Sequence, residues 1–125
     1  MLLDLTLMPD RLAVCRLPAG APMPAWAGAG GLVSVSWTAD ETSVVCAEAA
    51  VPPDVQAEIG WRAFRVAGPM DFGLTGVLLA MAEPLAAAGV AIFAVSTFDT
   101  DYVLVKGSSL DAAASALSGY GHRIS

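Results

Sequence analysis

Charge is scarce in this 125-residue chain. Only 14% of its residues are Asp, Glu, Lys or Arg, against 56% hydrophobic, too few to cover the surface with charge. Some apolar area is therefore expected to lie against a second copy, as a homodimer. Positive charge is the scarcer sign: six basic residues against twelve acidic ones leave a net charge of −6. Such a surface repels phosphate backbones and forgoes the counterion release that drives nucleic-acid binding, so no nucleic acid is expected as a partner. Cysteine is nearly absent. Cys15 and Cys46 sit in apolar alternating runs with no further Cys or His at ligand spacing, which argues against a zinc site and predicts buried free thiols in a reducing cytosol. There is no G-x-G-x-x-G fingerprint, no P-loop lysine, and no assembly of nucleophile, acid and base. Neither an enzyme nor a bound cofactor or metal is expected. Long apolar runs are missing too, because Glu83, Pro84 and Gly89 interrupt residues 74–98 before the roughly 20 residues needed to span a bilayer. The start, Met1 to Asp4, lacks the basic residues of a signal peptide. A soluble cytoplasmic protein is expected.

What the chain does have is alternation and turn chemistry. Residues 2–8 alternate weakly, and Pro9-Asp10 turns the chain into residues 11–17, a two-stranded start. Residues 18–31 are rich in Pro, Gly and Ala around Trp26, which disfavours a long helix. Residues 32–37 alternate strictly, residues 38–41 supply a turn, and residues 42–47 resume extended structure: a hairpin. Residues 51–59 can start a short helix, with proline in its first turn and Gly60 at its end. Residues 61–67 then alternate as a strand.

From there the pattern becomes helical. Asp71 is placed as an N-cap, and Phe72, Leu74, Val77, Leu78, Met81 and Leu85 recur at three-and-four spacing, with Pro84 kinking or ending the regular part. Gly89 closes this helix. Residues 90–97 and 102–106 read as strands, residues 108–118 as a second helix with Leu110, Ala113, Ala114 and Leu117 inward, and residues 120–124 as a last strand. The second half thus spells βαββαβ, the ferredoxin-like α+β order, in which two helices cover one face of a four-stranded antiparallel sheet. Laying residues 35–45 over 95–105 pairs Val35 with Val95, Ser36 with Ser96, Val45 with Val105 and acidic Glu41 with Asp101. That self-similarity predicts a tandem duplication, a degenerate unit over residues 1–60 and an intact one over 61–125.

Two stretches draw together the turn chemistry of the second half: Gly68-Pro-Met-Asp-Phe-Gly-Leu-Thr-Gly76 and Ser96-Thr-Phe-Asp-Thr-Asp-Tyr102. They are expected to face one pocket for a small ligand. Free N–H groups at a helix start around Phe72, Gly73 and Leu74 suit a carboxylate, and Gly73 leaves room for close approach. Asp99 and Asp101 suit an ammonium or guanidinium group, and Phe98 offers a wall or a cation–π contact. Plainer readings stand beside these. Asp71 serves equally as a helix cap, Asp99-Thr-Asp101 as an ordinary polar turn, and Phe98 as an interface residue. His122 reads as a solvated or edge-strand residue, and Trp26, Trp37 and Trp61 as core or interface anchors.

The same two stretches, with residues 90–105, resemble the ACT-domain family. The likeness is nearest to small bacterial tandem-ACT proteins related to aspartate kinase regulatory domains and to animal cytosolic arginine sensors. It implies a non-enzymatic sensor module in which an amino acid, zwitterionic or cationic, sits at a seam between two ACT units. The implied ligand-binding positions are Met70, Asp71, Phe72, Gly73 and Leu74 on the helix-opening loop and Ser96, Thr97, Phe98, Asp99 and Asp101 on the strand edge. It implies as partners a second copy and a regulated enzyme or regulator protein. The alternative is a structural or partner-binding module without a ligand.

Overall fold

The computed structural model describes residues 1–28, 30–68 and 75–125. In chain order its elements are strands β1 (Asp4–Leu7), β2 (Leu12–Leu17), β3 (Ser34–Trp37), β4 (Thr42–Ala47) and β5 (Gln56–Val66), helix α1 (Val77–Ala87), strands β6 (Ile92–Ser96) and β7 (Asp101–Lys106), helix α2 (Leu110–Tyr120) and strand β8 (Arg123–Ile124). Single 3-10 turns lie at Ala25–Ala27, Glu48–Ala50 and Gly107–Ser109. Contacts divide the chain into two units, Asp10–Trp61 and Met1–Pro9 with Arg62–Ser125, so that the first nine residues belong with the second half.

In the unit of Met1–Pro9 and Arg62–Ser125, the elements from β5 onward follow the expected βαββαβ order, with strands arranged β6-β7-β5-β1-β8. The expected four-stranded antiparallel sheet is corrected to five strands. β1 does not pair with β2 as a two-stranded start; it lies antiparallel to β5 and parallel to β8. Its alternation supplies the reason: Leu5 is buried, with Leu3 and Leu7 packed on the same core. That core joins Leu5, Phe64, Val66, Val103 and Val105 of the strands to Met81 and Leu85 of α1 and Ala113 and Leu117 of α2. Residues alternating along a strand share a face.

Helix α1 buries Val77, Ala80, Met81, Pro84 and Leu85, an apolar stripe at three-and-four spacing. It differs from expectation in two ways. Its N-cap is Gly76 at φ 82°, not Asp71, and Leu78 is 40% exposed rather than inward. Asp71, Phe72 and Leu74 lie outside the described residues. Pro84 stands within the helix. Helix α2 carries Leu110, Ala113, Ala114 and Leu117 on its packed side as expected, and ends at Gly121, whose φ of 116° suits only glycine.

In the unit Asp10–Trp61 the strand order is β3-β4-β2-β5. Cys15, Cys46, Ala13, Val44 and Ala27 form its core, with Trp26, Val35 and Val55 packed around them. Trp37, expected as an anchor, is 58% exposed, its indole N–H donating to Ala21 O at 2.9 Å. The short helix expected over residues 51–59 is absent, because residues from Gln56 onward extend β5. Gly60 does not end a helix but sits inside that strand at φ 79°. Pairing steps from Leu12↔Trp61 to Val14↔Glu58, so β5 carries one residue more than β2 there, a bulge of the kind that calls for glycine. Glu48 Oε1 accepts the Gly60 N–H at 2.6 Å.

The internal likeness is real in the elements but its register differs from the sequence alignment. β4 and the turn Glu48–Ala50 match β7 and the turn Gly107–Ser109 residue for residue at an offset of 59. The strand pairs that close the two hairpins, Trp37↔Thr42 and Ser96↔Asp101, obey the same offset. The alignment through Ser36 and Ser96 used 60, and one residue of slip exchanges the two faces of a strand.

Candidate functional site

The β6–β7 hairpin builds its turn from hydroxyls. Thr97 N–H donates to Thr100 O at 2.9 Å, its Oγ1 donates to the same carbonyl at 3.1 Å, and Thr100 N–H approaches Thr97 Oγ1 at 3.4 Å. Thr38 closes the β3–β4 turn the same way, receiving Asp40 and Glu41 N–H at 3.2 and 3.1 Å. A threonine that bonds the backbone of its own turn fixes the turn without glycine.

At the mouth of the hairpin Ser96 Oγ donates to Asp101 Oδ1 at 2.6 Å across the strand pair. That bond holds one carboxylate oxygen of Asp101 and leaves the carboxylate half-buried. Ser96, Thr97, Phe98 and Asp99 are exposed, Phe98 at 79%. Thr100 points the other way. It is 3% exposed, and its hydroxyl donates to Val66 O at 2.6 Å. Val66 is the last residue of β5, so this bond brings the acidic turn to the point where the chain leaves for the helix-opening loop. The site residues expected on that loop, Met70, Asp71, Phe72, Gly73 and Leu74, lie outside the described residues.

Two polar residues of consequence escaped the sequence reading. Thr100 sits between Asp99 and Asp101 and reads as part of a solvated turn; the alternation of β7 does not mark it, since it is out of phase with the core residues Val103 and Val105. His122, expected as a solvated or edge-strand residue, is not solvated: it is 4% exposed. Its Nδ1 accepts the Leu3 N–H at 3.0 Å, its Nε2 lies 2.7 Å from Ala80 O, and its ring stacks on Tyr120 with centroids 4.9 Å apart. Because a backbone N–H can only donate and a carbonyl only accept, the ring is neutral with its proton on Nε2.

Both cysteines are buried and free. Burial pushes the Cys15 thiol up to about 12, the neighbouring Cys46 adding to the effect, and burial raises Cys46 as well. These sulfurs are packing groups. No cluster of three or more His, Cys, Asp or Glu able to hold a metal occurs among the described residues, and no described helix is long and apolar enough to cross a membrane.

Comparison with known proteins gives this geometry its context. The family model of the ACT domain matches residues 56–119, and a second model, of an N-terminal domain, matches residues 10–54. A crystal structure of a protein from Agobacterium tumefaciens is 38% identical, the match covering 100% of this chain and 93% of that one at a TM-score of 0.94. Likeness in fold alone extends further. A possible transport protein of unknown function from Vibrio cholerae is 13% identical, with 94% and 89% covered and a TM-score of 0.72. The ligand-free regulatory subunit of aspartate kinase from Thermus thermophilus is 11% identical, with 97% and 99% covered and a TM-score of 0.65.

Proposed function

The chain belongs to the ACT-domain family, in a ferredoxin-like α+β fold, and from that premise we propose that it is a non-catalytic regulatory module that binds a free amino acid. The observation that carries the reading is the Thr100–Val66 hydrogen bond, which ties the acidic hairpin turn to the exit of β5. In this reading Asp99 and the second carboxylate oxygen of Asp101 receive the ammonium or guanidinium end of a zwitterionic or cationic amino acid. Phe98 flanks it, Ser96 and Thr97 line the strand edge, and backbone N–H groups along Met70, Asp71, Phe72, Gly73 and Leu74 take the carboxylate. The unit Asp10–Trp61 acts as a degenerate second copy that shares the hairpin and, among the described residues, has neither long helix. Binding regulates by favouring one arrangement of the protein over another, which requires the ligand to discriminate between them.

A second copy of the chain is the expected companion, and a regulated enzyme the expected listener. Leu78, Leu79 and Ile92 are 40%, 63% and 37% exposed, and β6 ends its strand order with β7 as its neighbour. Exposed apolar side chains on an edge strand and on a helix suit a protein partner. The same observation supports the rival reading of a partner-binding module without a ligand. A thermal-shift screen against the proteinogenic amino acids separates the two. A ligand at concentration [L] stabilises the protein by RT ln(1 + [L]/Kd), so a sensor gives at least one rising melt that Asp101→Ala abolishes. No shift with any amino acid at about 10 mM, a concentration that exposes even millimolar affinities, leaves the partner-binding reading standing.

A further inference from the structure

Proline inside a helix withholds the N–H that would bond the carbonyl four residues earlier, and its ring crowds that carbonyl. In α1 the proline is Pro84 and the deprived carbonyl belongs to Ala80. Ala80 also closes the first turn, its N–H donating to Gly76 O at 2.9 Å. The turn that receives the chain from residues 69–74 is thus joined to the rest of α1 by a ladder with one rung missing. Yet the Ala80 carbonyl is bonded: the Nε2–H of His122 reaches it at 2.7 Å in a buried contact. The opposite nitrogen of the same ring holds the N–H of Leu3, the residue before β1, and the next residue, Arg123, opens β8.

We propose that His122 is a positioning residue that stands in for the N–H Pro84 cannot supply. It fixes the first turn of α1 to β1 and β8, and it thereby supports amino-acid binding by this unit. The last clause rests on the ligand-binding reading above; the stand-in role does not. A side chain three residues from the C-terminal end of the described chain thereby controls a helix turn forty-two positions earlier.

A double-mutant cycle tests the stand-in role. His122→Phe keeps a ring against Tyr120 and removes both nitrogens, leaving the Ala80 carbonyl unbonded in the parent background. Pro84→Ala restores a helical N–H to that carbonyl. The loss in folded-to-unfolded ratio caused by His122→Phe is expected to be about fivefold to tenfold smaller in the Pro84→Ala background, the worth of one buried hydrogen bond. Native-state exchange of the amides of residues 80 and 81 should quicken in His122→Phe and slow again in the double variant. If His122→Phe fails to fold, His122→Leu, smaller and equally without a donor or acceptor, supports the same cycle. Additive effects with unchanged exchange overturn the stand-in role.

The ligand clause has its own readout. Each proteinogenic amino acid is screened by thermal shift at about 10 mM, where even a millimolar binder stabilises measurably. Whichever amino acid stabilises the parent should bind several-fold more weakly to His122→Phe and recover in the double variant. A coupled cycle with unchanged amino-acid binding overturns the link to binding alone. A parent that responds to no amino acid overturns that link together with the sensor reading, while the cycle still decides the stand-in role.

Discussion

Thr100→Val is the sharpest single test of how the acidic turn is held. Valine keeps the branched shape of this 3% exposed side chain but sets a methyl where the hydroxyl met the carbonyl, so the bond is lost and the contact must widen. What disappears is the 2.6 Å bond to Val66 O, and a buried group left without its partner costs about 1 to 3 kcal/mol. For a chain of this size that is a fall of roughly 3 to 12 °C in melting temperature. Thr100→Ser is the control: it keeps the hydroxyl and removes a methyl, on the order of 0.8 kcal/mol. Urea unfolding of the parent and both variants, with unchanged m-values, gives the two costs directly. The valine variant should be the less stable of the two. If instead the serine variant loses more and the valine variant matches the parent, the turn is held by packing and the hydrogen bond is incidental. Under the sensor reading the valine variant should also lose part of the amino-acid-induced shift, because the turn that carries Asp99 and Asp101 is no longer tied to β5.

Other outcomes follow from features already described. Gly121→Ala combines a φ of 116° with a Cβ 2.9 Å from Leu2 Cδ2; Leu2 is 69% exposed and swings aside, so the cost is backbone strain of about 1 to 2 kcal/mol. Chemical denaturation should show that Leu2→Ala fails to relieve it. Cys15, whose thiol rises from 9.0 to about 12 through burial and then Cys46, should react with an alkylating reagent about a thousandfold more slowly in the folded protein than in urea at pH 8, in proportion to its thiolate. Since the folded thiol keeps a proton that the unfolded one sheds, its contribution to stability is complete below pH 9 and drains away as the pH climbs toward 12, which unfolding curves across that range will read. Asp4→Asn removes the 2.8 Å ion pair with Arg123, whose side chains are 56% and 80% exposed, and should change stability by less than about 0.5 kcal/mol in the same assay.

The parts of this fold that were legible in the sequence are those set by local periodicity. The stripe of α1, the inward face of α2 and both hairpins each satisfy a pattern within a dozen residues. The parts that were not legible depend on distant pairing. Nothing in residues 4–7 says that β1 will lie between β5 and β8 rather than against β2, because Leu5 needs only an apolar face and several were on offer. Gly60 was read as a helix end since glycine ends helices and opens bulges alike, and only the register against β2 distinguishes them. For the site, the turn was visible in its threonines and aspartates, whereas His122 betrayed nothing: its two partners are backbone groups, one of them orphaned by a proline thirty-eight residues away. Polar side chains that serve backbone groups leave no covarying motif for a single sequence to display.

The placement of β1 has a consequence for how this sheet closes. β1 lies between β5 and β8, so Leu5 pairs with Val66 and with Ile124, 61 and 119 positions further along the chain. Until both pairings form, β1 offers unpaired edges and an unburied Leu5, a liability that closes only when these long-range contacts are made. The two halves are also not separable by a single cut: a fragment beginning at residue 61 lacks a strand from the middle of its own sheet, so gene fusion or truncation at that boundary yields an open seam rather than a module.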